Sequence, residues 1–347
     1  MQDSLAAFAA LAIVLAAAVF SAVLIVALDP WLARYAVAKP NSRSSHKTPT
    51  PQGGGIAVIG ATLITSVGVL FFFGTANTNL WPLVVLFAAV LLIAAVGVMA
   101  DKRPIAPAPR LVLQTFAVAA VLTTLPPELH LVPILPWWGE RILLVIGTLW
   151  FVNLVNFMDG LDWMTVVEVV PITAALAALG LLGYVPRENT VISLTLCGAM
   201  IGFAFFNRPV AKLFLGDVGS LPIGLLLGWL LLMLAGSGGR VAALLLPLYY
   251  LADSTITLLR RALNGEPVWQ AHRSHFYQSA TDRGFRVIDV VARVFVVNVA
   301  LAALALVTIL LPSPAIDIAS VSVGVALVAW LLFVFAHGPA RHLPQSS

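Results

Sequence analysis

The stretch "ILLVIGTLWFVNLVNFMDGLDWM", residues 142–164, stays largely apolar from Ile142 to Phe157 and then sets down two aspartates, Asp159 and Asp162. A helix rises about 1.5 Å per residue, so most of this run fits inside a hydrocarbon layer about 30 Å thick. The plain reading of the aspartates is that they mark the water interface where a membrane helix stops. The sharper reading is a site at the membrane surface, and the rest of the chain decides between them.

Outward from this stretch the same pattern repeats. Of 347 residues 61% are hydrophobic and only 10% charged, and the mean hydropathy is +1.01. Apolar blocks of membrane-crossing length exclude an ordinary soluble domain and predict an all-α polytopic membrane protein. Spans are expected near 5–28, 56–74, 82–100, 111–126, 142–157, 164–184, 190–206, 220–236, 241–258, 291–311 and 319–336, about eleven in all. The first lacks a basic leader and is too long for a signal-peptide core, so it reads as a retained helix. Residues 1–347 form one integral membrane domain on this reading, with no appended soluble part. The single cysteine, Cys197, lies in an apolar run and reads as a small buried hydrophobe.

Lysine and arginine orient the chain. On this map every one of them except Arg141, Arg187 and Arg240 falls on one side. The positive-inside rule makes that side cytoplasmic, with the N-terminus outside and the C-terminus inside. The net charge of +4 thus reads as topology and contact with anionic headgroups, and nucleic acid is not an expected partner. The polar stretches "KPNSRSSHKTPTPQGGG" (39–55), "ADKRPIAPAPR" (100–110), "NFMDGLDWM" (156–164), "NRPVAKLFLGDVGS" (207–220) and "RRALNGEPVWQAHRSHFYQSATDRGFR" (260–286) all share the cytoplasmic face. Chemistry gathered at one face, with little charge in the middle of the helices, argues against a transporter, which would place polar residues near the midplane.

Each stretch has its own chemistry. Asp159 and Asp162 are three apart, hence on one face if the helix continues through them, and two such acceptors repel unless a cation or a positive substrate group lies between. Asp217 sits between Gly216 and Gly219, a pairing that permits a tight turn and close approach of a phosphate, or only a loop. His272 and His275, with Arg273 between them, could grip a diphosphate or stand as solvated surface. Three glycines, Gly53 to Gly55, entering a helix are costly unless the backbone must come close to something. Asp253 is the most buried acid by position and reads as a helix-end side chain reaching toward Arg260; Glu168 reads as an interface residue. Oxygen ligands on several loops, without Cys or multi-His spacing, point to Mg²⁺ or Mn²⁺ bound together with phosphates.

In their order, "NSRSSHKTPTPQGGG", "ADKRPIAPAPRLVLQ", "NLVNFMDGLDWM", "NRPVAKLFLGDVGSLPIG" and "HRSHFYQ" resemble the polyprenyl-phosphate N-acetylhexosamine-1-phosphate transferases, the group with undecaprenyl-phosphate GlcNAc-1-phosphate transferase and phospho-MurNAc-pentapeptide translocase. The resemblance spans about residues 34–286. It implies Mg²⁺-dependent transfer of a sugar 1-phosphate from a UDP-N-acetylhexosamine to a polyprenyl (undecaprenyl) phosphate, with release of UMP, as a first membrane step of surface-polysaccharide, O-antigen or cell-wall glycan synthesis. It also implies a multi-pass protein of the bacterial cytoplasmic membrane, with a homodimer among the expected assemblies. Asp217 matches the family's metal-binding aspartate and Phe214 the aromatic that stacks on uracil. Gly160, Leu161 and Asp162 match the segment edging the uridine, Asp159 and Asn156 polar residues of the same cleft, and Lys47 a lysine near the nucleotide. His272 and His275 match the histidine motif of the last large cytoplasmic loop, which holds the diphosphate.

Two departures stand out. The translocase branch carries three adjacent histidines where this chain reads Arg273, Ser274, His275, which favours the surface-polysaccharide branch. Where the family has an Asp-Asp pair, this chain has Ala100 and Asp101, so the first carboxylate is missing and Asp101 alone is expected in the catalytic set with Asp159, Asp162, His272 and His275. An impaired member that binds lipid and nucleotide as an assembly subunit is the alternative, and a transporter a distant one.

Overall fold

The computed structural model describes residues 2–38, 49–73, 79–102, 106–126, 129–267 and 272–338. These residues are helical almost throughout. The helices are α1 (Gln2–Tyr35), α2 (Gly54–Phe73), α3 (Trp81–Lys102), α4 (Pro107–Leu122), α5 (Trp137–Met158), α6 (Met164–Leu181), α7 (Arg187–Ala204), α8 (Asp217–Gly236), α9 (Arg240–Leu245), α10 (Leu248–Leu263), α11 (Phe276–Asp282), α12 (Val287–Leu310) and α13 (Pro314–His337). One exception to the all-helical expectation is a two-stranded antiparallel ribbon, β1 (Val37–Ala38) against β2 (Thr50–Pro51).

Among the described residues eight helices are long and apolar enough to cross a membrane: α1, α2, α3, α5, α6, α8, α12 and α13. Every expected span coincides with a helix, but three fall short of that mark. α4 has 16 residues, and α7 opens on Arg187, Glu188 and Asn189. The expected span at 241–258 is broken, because Pro247 separates the six-residue α9 from α10. Proline has no N–H to continue the helical ladder and crowds the preceding turn.

α8 is the hub, with 89% of its apolar window buried against 17% for α1. α2, α3 and α5 all pack on it, and α1, α7 and α2 form a neighbouring layer. Small residues set these approaches: a Cβ at Gly97 of α3 would lie 2.6 Å from the Asp217 carbonyl oxygen, and one at Gly224 of α8 would lie 2.8 Å from Val152 Cα of α5. Association inside a bilayer has little hydrophobic drive, so backbone-to-backbone packing of this kind replaces it. Glu168, expected at an interface, is instead fully buried in α6 and accepts a 2.7 Å hydrogen bond from Asn298 Nδ2 of α12.

The three glycines before α2 find their reason here. Gly53 and Gly54 donate their backbone N–H groups to the Phe214 carbonyl and Gly55 to that of Leu215, while Phe214 N–H donates to Pro51 O. A side chain at Gly55 would collide with the Gly219 backbone, so this loop lies directly against the turn into α8.

Candidate active site

The site forms around the N-terminus of α8. Its first turn exposes backbone N–H groups that the helix cannot satisfy. Asp101, at the far end of α3, supplies the acceptors: Oδ1 takes the Asp217 N–H at 3.0 Å and Oδ2 the Val218 N–H at 3.2 Å. Gly216 turns the chain into the helix at φ +77°, and a Cβ there would fall 2.7 Å from Asp101 Oδ2. Both oxygens of Asp101 are thus engaged with the helix backbone.

Asp217 faces the other way, into a closed polar ring. Arg110 Nη1 donates to its Oδ2 at 2.8 Å, Asn156 Nδ2 donates to its Oδ1 at 2.7 Å, and Arg110 Nη2 donates to Asn156 Oδ1 at 2.9 Å. Asn156 Nδ2 also reaches Ser220 Oγ at 2.8 Å. In the sequence Arg110 stands out only as one of the orienting charges. The signal available was its place one turn inside α4, after Pro107 and just before the apolar run that starts at Leu111.

Asp159 and Asp162 do not share a helix face, contrary to the expectation for a continuing helix. α5 ends at Met158 and α6 starts at Met164, with Trp163 between them left-handed at φ +64°. Asp159 accepts from Thr165 Oγ1 at 2.5 Å. Burial raises its pKa to about 7; the Thr165 hydrogen bond opposes this, and the nearby charges of Asp217, Asp101 and Asp162 add to it. Asp162 is buried and its Oδ2 accepts the Ala211 N–H at 2.9 Å, so it pins the loop that leads to Phe214. Asn207 works beside it, accepting from Trp163 N–H at 2.8 Å and donating to Leu213 O at 2.9 Å. Leu161 is buried, and Gly160 has no room for a side chain because the Tyr277 hydroxyl and Gln278 Nε2 occupy the space.

The histidine loop is organised by Asp253, which does not reach toward Arg260. Its carboxylate accepts the Phe276 N–H at 3.0 Å and the Tyr277 N–H at 3.2 Å, capping α11, and it lies 3.2 Å from His275 Nδ1. His275 is buried, and its ring stacks on His272 with centroids 4.8 Å apart. Burial lowers His272 to about 4, with the neighbouring His275, Arg261 and Arg260 adding to the effect. Arg273 pairs with Asp282 at 3.0 Å and does not join the histidines at the cavity. Tyr277 ties α11 to the end of α5 by donating from its hydroxyl to Phe157 O at 3.1 Å.

Arg110, Asn156, Asp217, His272 and His275 line one end of a cavity of about 930 Å³. Its remaining walls come from α4, α5 and α10 and are largely apolar, with Leu111, Ile146, Leu149, Trp150, Leu258 and Leu259. Asp101, Asp162 and Phe214 are not part of that lining, and Lys47 lies outside the described residues. Among the described residues no three His, Cys, Asp or Glu side chains converge closely enough to bind a common ion by themselves.

Residues 83–235, which hold Asp101, Arg110, Asn156, Asp159 and Asp217, match glycosyl transferase family 4. The chain is 24% identical over 254 residues to a probable undecaprenyl-phosphate N-acetylglucosaminyl 1-phosphate transferase of Bacillus subtilis (strain 168), covering 70% of this chain and 68% of that protein. Shorter stretches are similar to phospho-N-acetylmuramoyl-pentapeptide-transferases: 39% identity over 70 residues in Enterococcus hirae, covering 20% of this chain and 21% of that protein, and 50% over 46 residues in Desulfovibrio desulfuricans (strain ATCC 27774 / DSM 6949 / MB), covering 13% of each. A family 4 match over residues 83–235, around the α8 site, and a relative aligned along 70% of the chain make this protein similar to the glycosyl transferase family 4 enzymes.

Proposed function

We propose that this protein transfers an N-acetylhexosamine 1-phosphate from a UDP-sugar to a polyprenyl phosphate and releases UMP. The observation that carries this reading is the two-natured cavity, with charged Arg110, Asp217 and the histidines at one end and an apolar channel between α4, α5 and α10. A phosphate on a long hydrocarbon chain fits both parts. The named activities of the relatives point the same way.

In this reading an oxygen of the lipid phosphate attacks the β-phosphorus of the UDP-sugar. A new P–O bond forms to the lipid, the P–O bond to UMP breaks, and UMP leaves with its electron pair. Arg110 orients phosphate through its paired N–H donors, for which a guanidinium is well shaped. Asp253 holds the His275 ring by its Nδ1, so that the opposite ring edge is free for the diphosphate, and His272 stays uncharged at neutral pH beside it. Phe214 stacks on uracil, with Gly160, Leu161, Asp162 and Lys47 around the nucleotide.

A divalent cation suits the donor set. Mg²⁺ is commonly held by one or two carboxylates together with substrate phosphates, so a site without three convergent ligands is compatible with it. Asp217 would hold it, and Mn²⁺ could take the same oxygens. When bound, the ion would neutralise the diphosphate and the leaving UMP.

The lysine and arginine bias supports a site on the cytoplasmic side, and the membrane proposed is a bacterial inner membrane. A count of eleven spans sets the termini on opposite sides, whereas eight would set them on the same side. A second reading, lipid and nucleotide binding without turnover, rests on Ala100: with Asp101 engaged in the α8 cap, the position next to it offers no acid. UMP release from membranes supplied with polyprenyl phosphate and a panel of UDP-N-acetylhexosamines tests both. Release with one of them supports transfer; binding of nucleotide with no release from any favours the second reading.

A further inference from the structure

A residue lining the cavity, Gln114, holds a hydrogen-bond donor that has no acceptor among the described residues. Asn153 Nδ2 donates at 2.9 Å to the backbone carbonyl of Leu149 and at 2.9 Å to Gln114 Oε1. A backbone carbonyl can only accept, so Leu149 fixes which end of the Asn153 amide faces it, and Asn153 in turn fixes the Gln114 oxygen. Gln114 Nε2 is thereby turned away from Asn153. The residue is fully buried, and Nε2 meets no acceptor among the described residues. Leaving such a donor unmade is costly unless something else completes it.

The position of this amide says what could complete it. Gln114 and Asn153 both line the cavity. Gln114 stands four residues beyond Arg110 along α4, hence on the same face, and Asn153 stands three residues before Asn156 on α5. The pair therefore lies about one helical turn from the Arg110–Asn156–Asp217 ring, roughly 5 Å along the helix, with apolar side chains continuing beyond it. An amphipathic ligand with its phosphate at the ring and its tail along the channel has a single kind of acceptor within reach of Gln114, the oxygens of that phosphate.

We propose that Gln114 is a recognition residue for the lipid substrate. Its Nε2 donates a hydrogen bond to the ester end of a polyprenyl phosphate and sets how far the phosphate advances toward Arg110. The inference rests on the function proposed above in taking a lipid phosphate as the ligand. It adds that the acceptor lipid, and not the nucleotide, is read at this point.

The test uses full-length protein in detergent without nucleotide, with farnesyl phosphate, a short polyprenyl monophosphate, and the uncharged farnesol as probes. The parent should bind the phosphate in preference to the alcohol. Gln114→Met, similar in length but without the donor, should weaken farnesyl phosphate binding about tenfold, as loss of a hydrogen bond to a charged group does, and leave farnesol unchanged. Gln114→Glu keeps the oxygen that faces Asn153 and should weaken the phosphate further by charge repulsion, again without effect on farnesol. In turnover, the KM for lipid phosphate should rise while that for the UDP-sugar holds. Unchanged phosphate affinity in both variants, equal loss of both lipids, or a parent that binds neither lipid would overturn the proposal. A parent that binds farnesyl phosphate through Gln114 but releases no UMP refutes the transferase reading alone. Turnover with an unaltered lipid KM in Gln114→Met refutes this one alone.

Discussion

Arg110 and Asp217 form an ion pair at 2.8 Å across the charged end of the cavity, with their side chains 22% and 27% exposed. A pair this accessible to water contributes only about 0–1 kcal/mol, so it opens at little cost. Asn156 bridges both partners and keeps them in register. Binding of a divalent cation and phosphate would exchange the partners, the carboxylate passing to the metal and the guanidinium to the phosphate.

Asp217→Asn should abolish UMP release while leaving a folded, extractable protein. A neutral amide cannot replace a carboxylate on Mg²⁺, whereas the lost ion pair is worth too little to unfold the chain. Activity across a Mg²⁺ titration, together with the thermal midpoint, checks this; full activity would remove Asp217 from the chemistry.

Phe214→Ala should raise the KM for UDP-sugar more than it lowers kcat. Stacking on a base is worth about 1–3 kcal/mol and acts on ground and transition states alike. The backbone of Phe214 is held by Pro51, Gly53 and Gly54, so the truncated variant keeps its loop. A loss confined to kcat would contradict stacking.

Restoring the missing acid with Ala100→Asp separates two roles. If that acid only accepts a proton from the lipid phosphate, the parent should be active near neutral pH, because a phosphomonoester with a second pKa of about 6 is already mostly dianionic there. The variant should then gain chiefly below pH ~6. If the acid organises the metal, the parent should be nearly inactive at every pH and the variant should recover activity by orders of magnitude at lower Mg²⁺. Identical rates in the two proteins from about pH 5.5 to 8.5, a range that brackets the phosphate pKa, would sink both roles.

His272 should be silent in the pH profile. Its folded pKa is about 4 against an ordinary 6.5, so between those values the unfolded chain binds a proton that the folded chain refuses. Stability contributed by the neutral ring therefore rises with pH across that window and is flat above it. His272→Gln should flatten that part of the curve of thermal midpoint against pH, and should lower the rate without moving the midpoints of the activity profile at higher pH. A shifted activity midpoint near neutrality would show that His272 titrates there.

Asp253→Asn should loosen the histidine loop. The carboxylate holds two α11 N–H groups and His275 together, and weakening a buried, charge-assisted cluster costs on the order of 2–3 kcal/mol. A lower thermal midpoint and faster proteolysis near residue 275 are expected. An unchanged midpoint would mean that the loop is held elsewhere.

The membrane class was legible because burial in lipid demands long apolar runs, and the site loops were legible because their polar residues had few other reasons to cluster. What escaped reading depends on partners far apart in sequence. Asp253 has Arg260 seven residues ahead, and the pairing looks natural along one helix, but its true partners are at 275–277. Arg110 counts as one positive charge among many until Asp217, more than a hundred residues away, is brought against it. Asp159 and Asp162 look like one face only while the helix is imagined to continue, and the left-handed turn at Trp163 was not readable from a residue type that rarely adopts it. The break at Pro247 was marked in the sequence by the proline itself, which the apolar run concealed.

The α3 carboxylate on the first turn of α8 has a consequence for charge. A helix N-terminus is a ready seat for a phosphate, through its free N–H groups and the positive end of its dipole. Here that seat is already taken by an anion of the protein's own, Asp101, held by Asp217 N–H and Val218 N–H. An incoming diphosphate therefore gains little from α8 itself. On the proposed function its charge would fall instead to the Arg110 guanidinium, the histidine loop and a divalent cation, so the site would draw on side chains and solutes rather than on a fixed helix end.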